Sequence, residues 1–225
     1  MAYRFPNQRI LIMAKAPIPG QAKTRLIPAL GEEGAAQLHQ QLVLRLLEAL
    51  SSAEIAPIQL WCSPDESHPF FQDCAQRYPL NLHRQQGDDL GQRMAHALES
   101  ALHEADAAMV IGCDIPQLGP TQLRQACHWL EQGNDAVLGP SEDGGYYLLG
   151  LRSTAEELFS EIPWGSAQVA ELTRVRLRTL GWQWRELESL WDVDRKEDLL
   201  RAKEAGLLQP PAHLPYFGRN GAPPR

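Results

Sequence analysis

Three cations stand close together near the start of the chain, in Lys15-Ala-Pro-Ile-Pro-Gly-Gln-Ala-Lys23-Thr24-Arg25. Lysine and arginine gathered in one loop can neutralise a di- or triphosphate through charge-assisted hydrogen bonds. Gly20 and the flanking prolines fix the path of that loop. The stretch lacks both the first glycine of a P-loop and the glycine directly before the lysine, so that motif is rejected. In Gly87-Asp-Asp-Leu-Gly-Gln-Arg-Met94, Asp88 or Asp89 suits either a helix cap or a ligand contact, and Arg93 is placed to reach a phosphate or ribose.

Carboxylates recur further along the chain. Asp114, in Ile111-Gly-Cys-Asp-Ile-Pro116, follows an apolar run and suits a divalent cation such as Mg²⁺, which takes one or two protein carboxylates together with phosphate oxygens and water. Glu142-Asp143-Gly144-Gly145 carries a strong turn signal that is compatible with substrate contact. Asp192 and Asp194 point the same way if their segment is extended, so that one can bind metal while the other caps the following helix. Trp164, in a Pro/Gly loop, can line an acceptor pocket or simply pack. His96 and His103 lack a third ligand and read as surface or packing residues.

The elements that must hold these residues follow from patterning. Arg9–Ala14, Pro57–Cys62, Leu80–His83, Ala107–Gly112, Ala136–Gly139, Gly145–Leu151 and Gln183–Leu187 read as strands. Helices are expected over Gly34–Ser51, Pro69–Tyr78, Leu90–Ala105, from a Thr121 cap to Gln132, over about Ala167–Leu180, and over Lys196–Gly206. Between the first strand and the first helix lies a long loop that holds the cations, a functional pointer in itself. Repeated βα units predict an α/β fold with a mostly parallel, doubly wound sheet, in which ligands bind beyond the carboxyl ends of the strands. Residues 1–208 form one expected nucleotide-binding domain, and 209–225 a Pro/Gly-rich tail.

With 44% hydrophobic and 22% charged residues, the 225-residue chain can bury one sizeable core. Its net charge of -7 offers no general basic surface for nucleic acid. Cys62, Cys74, Cys113 and Cys127 make no C-x-x-C pair and read as reduced, ordinary cysteines. The apolar run Ile10–Ala14 is too short for a membrane span or a signal-peptide core, so a cytoplasmic location is expected.

Five segments in this order, Ala14–Leu26, Asp89–Met94, Gly112–Pro116, Gly139–Tyr147 and Asp192–Asp194, resemble the transferase family found beside radical-SAM and selenoprotein-like genes (DUF2064-like, arsenosugar-biosynthesis-type glycosyltransferases). The resemblance runs from about Ile10 to Leu200. It implies a glycosyltransferase-A-like three-layer sandwich, the architecture of nucleotide-diphospho-sugar transferases, related also to small-molecule nucleotidyltransferases such as phospholactate guanylyltransferase. It implies Lys15, Lys23 and Arg25 as phosphate contacts; Gly20, Thr24, Asp89 and Arg93 are further expected to complete the nucleotide site. A divalent cation, Mg²⁺ or Mn²⁺, is expected at Asp114, Asp192 and Asp194. Glu142, Asp143, Gly144, Gly145 and Trp164 are expected to contact substrate, and Lys23, Arg25 and Asp114 to act in catalysis. The partners expected are a nucleotide or nucleotide sugar and a small acceptor. Glycine at position 112 reduces the Asp-x-Asp signature of many metal-dependent glycosyltransferases to Asp114 alone. Ile115, Gln117 and Gly165 also depart from the family pattern. Glycosyl transfer is the leading expectation, nucleotidyl transfer with pyrophosphate release the second, and non-catalytic nucleotide binding the third.

Overall fold

The computed structural model describes residues 2–208, so the tail expected at 209–225 lies outside the described residues. The strands are β1 (Gln8–Lys15), β2 (Ile58–Ser63), β3 (Leu80–Arg84), β4 (Ala107–Gly112), β5 (Ala136–Pro140), β6 (Tyr146–Leu151) and β7 (Trp184–Glu186). They form one sheet in the order β3-β2-β1-β4-β6-β5-β7. Within it β6 runs antiparallel to β4 and β5, and every other pairing is parallel. The helices are α1 (Ile27–Ser51), α2 (Pro69–Arg77), α3 (Leu90–Leu102), α4 (Pro120–Glu131), α5 (Val169–Thr179) and α6 (Lys196–Glu204).

Alternation along the strands creates the three layers. Ile10, Ile12, Met109 and Ile111 enter the core shared with α1, α2 and α4, whereas Leu11, Val110 and Trp61 enter the core shared with α3 and α5. Because both faces are covered, the central strands are apolar at almost every position, and Ala107–Ile111 are all buried. A third cluster, including Leu38, Leu42, Trp191, Val193 and Leu199, fastens α6 and the segment before it onto α1. That cluster places Asp192 and Asp194 beside the first loop. No helix among the described residues is long and apolar enough to cross a membrane.

Several expected boundaries move. Helix α1 begins at Ile27 rather than Gly34, preceded by a 3₁₀ turn at Thr24–Leu26 and interrupted at Gly31, whose φ of 71° and ψ of 169° lie outside the helical region. Helix α4 is capped at Gly119 rather than Thr121, because Pro120 occupies its first turn, where the missing N–H costs nothing. Helix α2 stops one residue early, since Tyr78 is extended, and α3 ends at Leu102 rather than Ala105. The cap expected from Asp192 or Asp194 comes instead from Asp198, whose Oδ2 accepts from the backbone N–H groups of Asp194 and Arg195 at 3.2 and 2.7 Å. An acid in the first turn can reach back to those donors, while Asp194 is committed elsewhere.

Candidate active site

The carboxyl ends of β1, β4 and β5 and the segment following β7 converge at one edge of the sheet, with the start of α3 beside them. Lys23 is at the centre of this region. Its backbone is left-handed (φ 49°, ψ 45°), a conformation that costs a non-glycine residue about 1–2 kcal/mol. It directs a side chain only 3% exposed inward, where Nζ lies 2.9 Å from Asp114 Oδ2 and donates to the Val193 carbonyl at 2.6 Å. Val193 in turn donates its N–H to the Asp114 carbonyl at 2.9 Å. Lys23 therefore joins the first loop, the end of β4 and the Asp192–Asp194 segment.

The ionisation of this pair is one-sided. Burial alone would push the Asp114 carboxyl up, but the Lys23 ammonium and His39 outweigh it and hold the carboxyl well below the usual carboxylate range. Burial opposes charge on Lys23 too, yet Asp114 more than offsets it and raises the lysine. Both groups stay charged at neutral pH. Arg25 is paired as well, its Nη1 lying 2.5 Å from Asp194 Oδ2.

Two clefts open from Asp114, and Leu90, Gly112 and Asp114 line both. The first, about 450 Å³, carries Lys15, Lys23, Thr24, Arg25 and Arg93. Lys15 is exposed there and makes no ion pair among the described residues. Arg93 donates through Nε to the Gly87 carbonyl at 2.9 Å. The second cleft, about 270 Å³, is lined by Tyr146, Trp164, Met94 and Ile115 with the carboxylates of Asp143 and Asp192 and, among the described residues, by no lysine, arginine or histidine. Burial and then the neighbouring Asp143 push the Asp192 carboxyl up to about 6, with Lys23 pulling the other way.

Among the other expected site residues, Asp89 caps α3, its Oδ1 accepting from Gln92 N–H at 2.8 Å. Glu142 lies outside both clefts in a bidentate pair with Arg201, at 2.7 and 3.1 Å, and that guanidinium stacks over Trp191. Asp143 shapes its own turn, accepting from Ser141 Oγ at 2.5 Å and from Gly145 N–H at 2.9 Å. The Gly144 carbonyl accepts from Ala170 N–H at 2.9 Å, which docks that turn on the start of α5. Gly20 lies against Glu32 rather than in a cleft wall.

The cation set expected at Asp114, Asp192 and Asp194 is not assembled. Lys23 takes Asp114 Oδ2, Arg25 takes Asp194, and Asp192 faces the second cleft. Among the described residues these three carboxylates are not gathered closely enough to share one ion. Among the described residues, the side chains gathered closely enough to hold a metal are instead His39, Cys113 and Asp114.

His39 escapes the sequence reading. It is buried in α1, its Nε2 is 2.9 Å from the Lys15 carbonyl, and its Nδ1 is 3.7 Å from Asp114 Oδ1. The signal was a histidine inside the apolar spacing Ala35, His39, Val43, Leu47, beside the Leu38–Leu42–Leu46–Leu50 row that defined the helix. Gln85 also escapes, although its Nε2 donates to the Ala14 and Trp61 carbonyls and it lines the cation-bearing cleft.

Trp164 owes its place to Gly91. A Cβ on Gly91 would lie 2.4 Å from the indole Nε1 and 2.6 Å from two ring carbons. Gly91→Ala is therefore expected to displace the indole by about 1 Å and to cost about 1–3 kcal/mol. A crystal structure of the variant and its urea midpoint check this, and an unmoved ring at unchanged stability would contradict it.

The fold is shared with nucleotide-diphospho-sugar transferases and nucleotidyltransferases. A protein of Desulfovibrio desulfuricans G20, described as a "putative nucleotide-diphospho-sugar transferase", superposes with a TM-score of 0.77 at 29% identity, covering 90% of this chain and 97% of that one. The 4-diphosphocytidyl-2C-methyl-D-erythritol synthase of Anaerococcus prevotii DSM 20548 gives a TM-score of 0.57 at 10% identity, over 90% and 99% of the two chains. A cytidylyltransferase of Leptospira borgpetersenii gives 0.55 at 16%, over 91% and 89%. The last two likenesses are of fold alone. A comparison with curated proteins finds no match. A family model matches residues 46–166, which hold Asp114, the Ser141–Gly145 turn and Trp164 but neither the first loop nor Asp192–Asp194. That match spans more than half of the sequence, and the chain belongs to the family described as "uncharacterized protein conserved in bacteria (DUF2064)".

Proposed function

We propose that the protein is a nucleotide-using transferase that moves a glycosyl group from a nucleoside-diphosphate sugar to a small acceptor. The observation that carries this reading is the meeting of two unlike clefts at Asp114. One is lined by Lys15, Lys23, Arg25 and Arg93 and suits a diphosphate, whose charge grows as the sugar leaves. The other has an aromatic wall, with Trp164 and Tyr146 edge to face at 6.3 Å, together with carboxylates and no cation. A hydroxyl acceptor suits that second cleft, whose Asp143 and Asp192 carboxylates would repel a phosphorylated one.

In this reading Lys15, Arg25 and Arg93 hold the donor's phosphates, and Lys23 keeps Asp114 ionised where the clefts join. Asp192 takes the proton of the acceptor hydroxyl, since a carboxyl pushed up to about 6 is matched to that task near neutral pH. The 29%-identical Desulfovibrio protein and the resemblance to arsenosugar-type glycosyltransferases both support sugar transfer. The second reading, nucleotidyl transfer, is favoured by the lysine seated on Asp114 in place of an Asp-x-Asp pair.

Mass spectrometry over a panel of nucleoside-diphosphate sugars and nucleoside triphosphates, with hydroxyl-bearing and phosphorylated acceptors, separates the two. The expected result is nucleoside diphosphate released from a nucleotide sugar in the presence of an unphosphorylated acceptor. Pyrophosphate released from a triphosphate with a phosphorylated acceptor would replace this reading with the second.

A further inference from the structure

At the floor of the cation-bearing cleft, His39, Cys113 and Asp114 each present a donor atom within 4.8 Å of the other two. Nδ1 of His39 and Sγ of Cys113 each lie 3.7 Å from Asp114 Oδ1. In a tetrahedral site with bonds of about 2.0–2.1 Å to nitrogen or oxygen and 2.3 Å to sulfur, neighbouring donors are about 3.3–3.6 Å apart. Two of the three edges are thus within a few tenths of an ångström of that geometry.

The ring of His39 is fixed for the task. A carbonyl can only accept, so the 2.9 Å contact with the Lys15 carbonyl places a hydrogen on Nε2. Its Nδ1 faces Asp114 Oδ1 at 3.7 Å, on the side of the ring away from the Lys15 carbonyl. A second ring nitrogen donating to a backbone carbonyl is also the outer hydrogen bond that orients metal-ligating histidines. Lys23 occupies only Oδ2, so Oδ1 remains for the trio.

We propose that His39, Cys113 and Asp114 bind a transition ion of the Zn²⁺ or Co²⁺ class, with its remaining position open to the cation-bearing cleft. Imidazole and thiolate select such an ion, whereas Mg²⁺ and Mn²⁺ call for an all-oxygen set. Binding replaces the sulfur–hydrogen bond of Cys113 with a sulfur–metal bond, and the proton leaves to solvent without redox change. Three protein ligands with one open position is the arrangement of a catalytic rather than a purely structural site. The inference stands independently of which group the enzyme transfers.

The test is titration of the chelator-treated, full-length protein with Co²⁺, read by absorbance. The expected result is one equivalent bound with a thiolate-to-cobalt charge-transfer band. Cys113→Ser should abolish that band, His39→Ala should weaken binding at least about tenfold, and Asp192→Asn should leave both unchanged. X-ray absorption of the Zn²⁺-loaded wild type should show one sulfur neighbour, a readout that needs no variant to fold. Absence of tight binding, a cobalt spectrum without the sulfur band, or a zinc shell of nitrogen and oxygen alone would overturn the proposal. Nucleotide binding measured on the same samples reports separately on the transferase reading.

Discussion

Asp192→Asn is expected to stabilise the fold by about 1–2 kcal/mol above a pH of about 6, while slowing transfer by about 10²–10⁴-fold. The sign follows from linkage. A carboxyl that titrates near 3.9 in the unfolded chain and near 6 in the folded one binds more protons when folded between those values, so stability falls as pH rises through that window. The penalty is absent below a pH of about 4 and fully present above about 6. The amide introduced by Asp192→Asn carries no charge and escapes it. The folded-state cost arises first from burial and then from Asp143, and the partial opening of the cleft to solvent keeps the gain below the full value of the shift. Urea denaturation of both proteins across this range should show curves that coincide in acid and separate towards neutrality. A variant less stable than wild type at neutral pH would mean that Asp192 has a partner in the folded protein. Unchanged transfer would remove it as the base. Stability gained where activity is lost is the pattern of a group held in an unfavourable setting for function.

The alternating cores explain what the sequence could disclose. Ala107–Ile111 are apolar because helices cover both faces of β4, and Ile10, Leu11 and Ile12 of β1 behave likewise, so these strands and the sheet class were readable from composition alone. Asp89 was readable as one of two alternatives, because an acid three residues before a free helical N–H has a local partner. The start of α1 was not, because Pro28, Gly31 and Gly34 have the composition of a loop, and what makes the segment helical is the packing of Leu26, Ala35 and Leu38 against Trp191 and Val193. The same limit applies to the site. Lys15, Lys23, Arg25, Asp114 and Asp194 were identifiable as charged groups beyond strand ends. That Lys23 would bind Asp114, and Arg25 would bind Asp194, depends on the sheet order and on α6 folding back over α1. Glu142 illustrates the converse: its place in a Glu-Asp-Gly-Gly turn suggested substrate contact, but Arg201, 59 residues on, holds it outside the clefts.

Gly144→Ala is expected to destabilise the protein by about 3 kcal/mol or more, whereas Gly165→Ala should cost only about 1–2 kcal/mol. Both glycines have positive φ, 87° and 84°, so the conformational penalty of adding a Cβ is nearly the same at each. They differ in what that Cβ would meet. At Gly165 nothing lies within 4 Å, while at Gly144 the Ala167 carbonyl oxygen would be 2.2 Å away and two further Ala167 backbone atoms 2.7 Å away. Backbone cannot rotate aside as a side chain can, so the turn must separate from the start of α5 and give up the bond from Ala170 N–H to the Gly144 carbonyl. That separation would carry Asp143 with it, because its Oδ1 is fixed within the same turn by Ser141 and Gly145. Gly144→Ala should therefore lower the denaturant midpoint and weaken acceptor binding together, and Gly165→Ala should produce only the smaller stability loss. Equal losses at the two positions would show that left-handed backbone, and not the close approach to Ala167, sets the requirement for glycine at these turns.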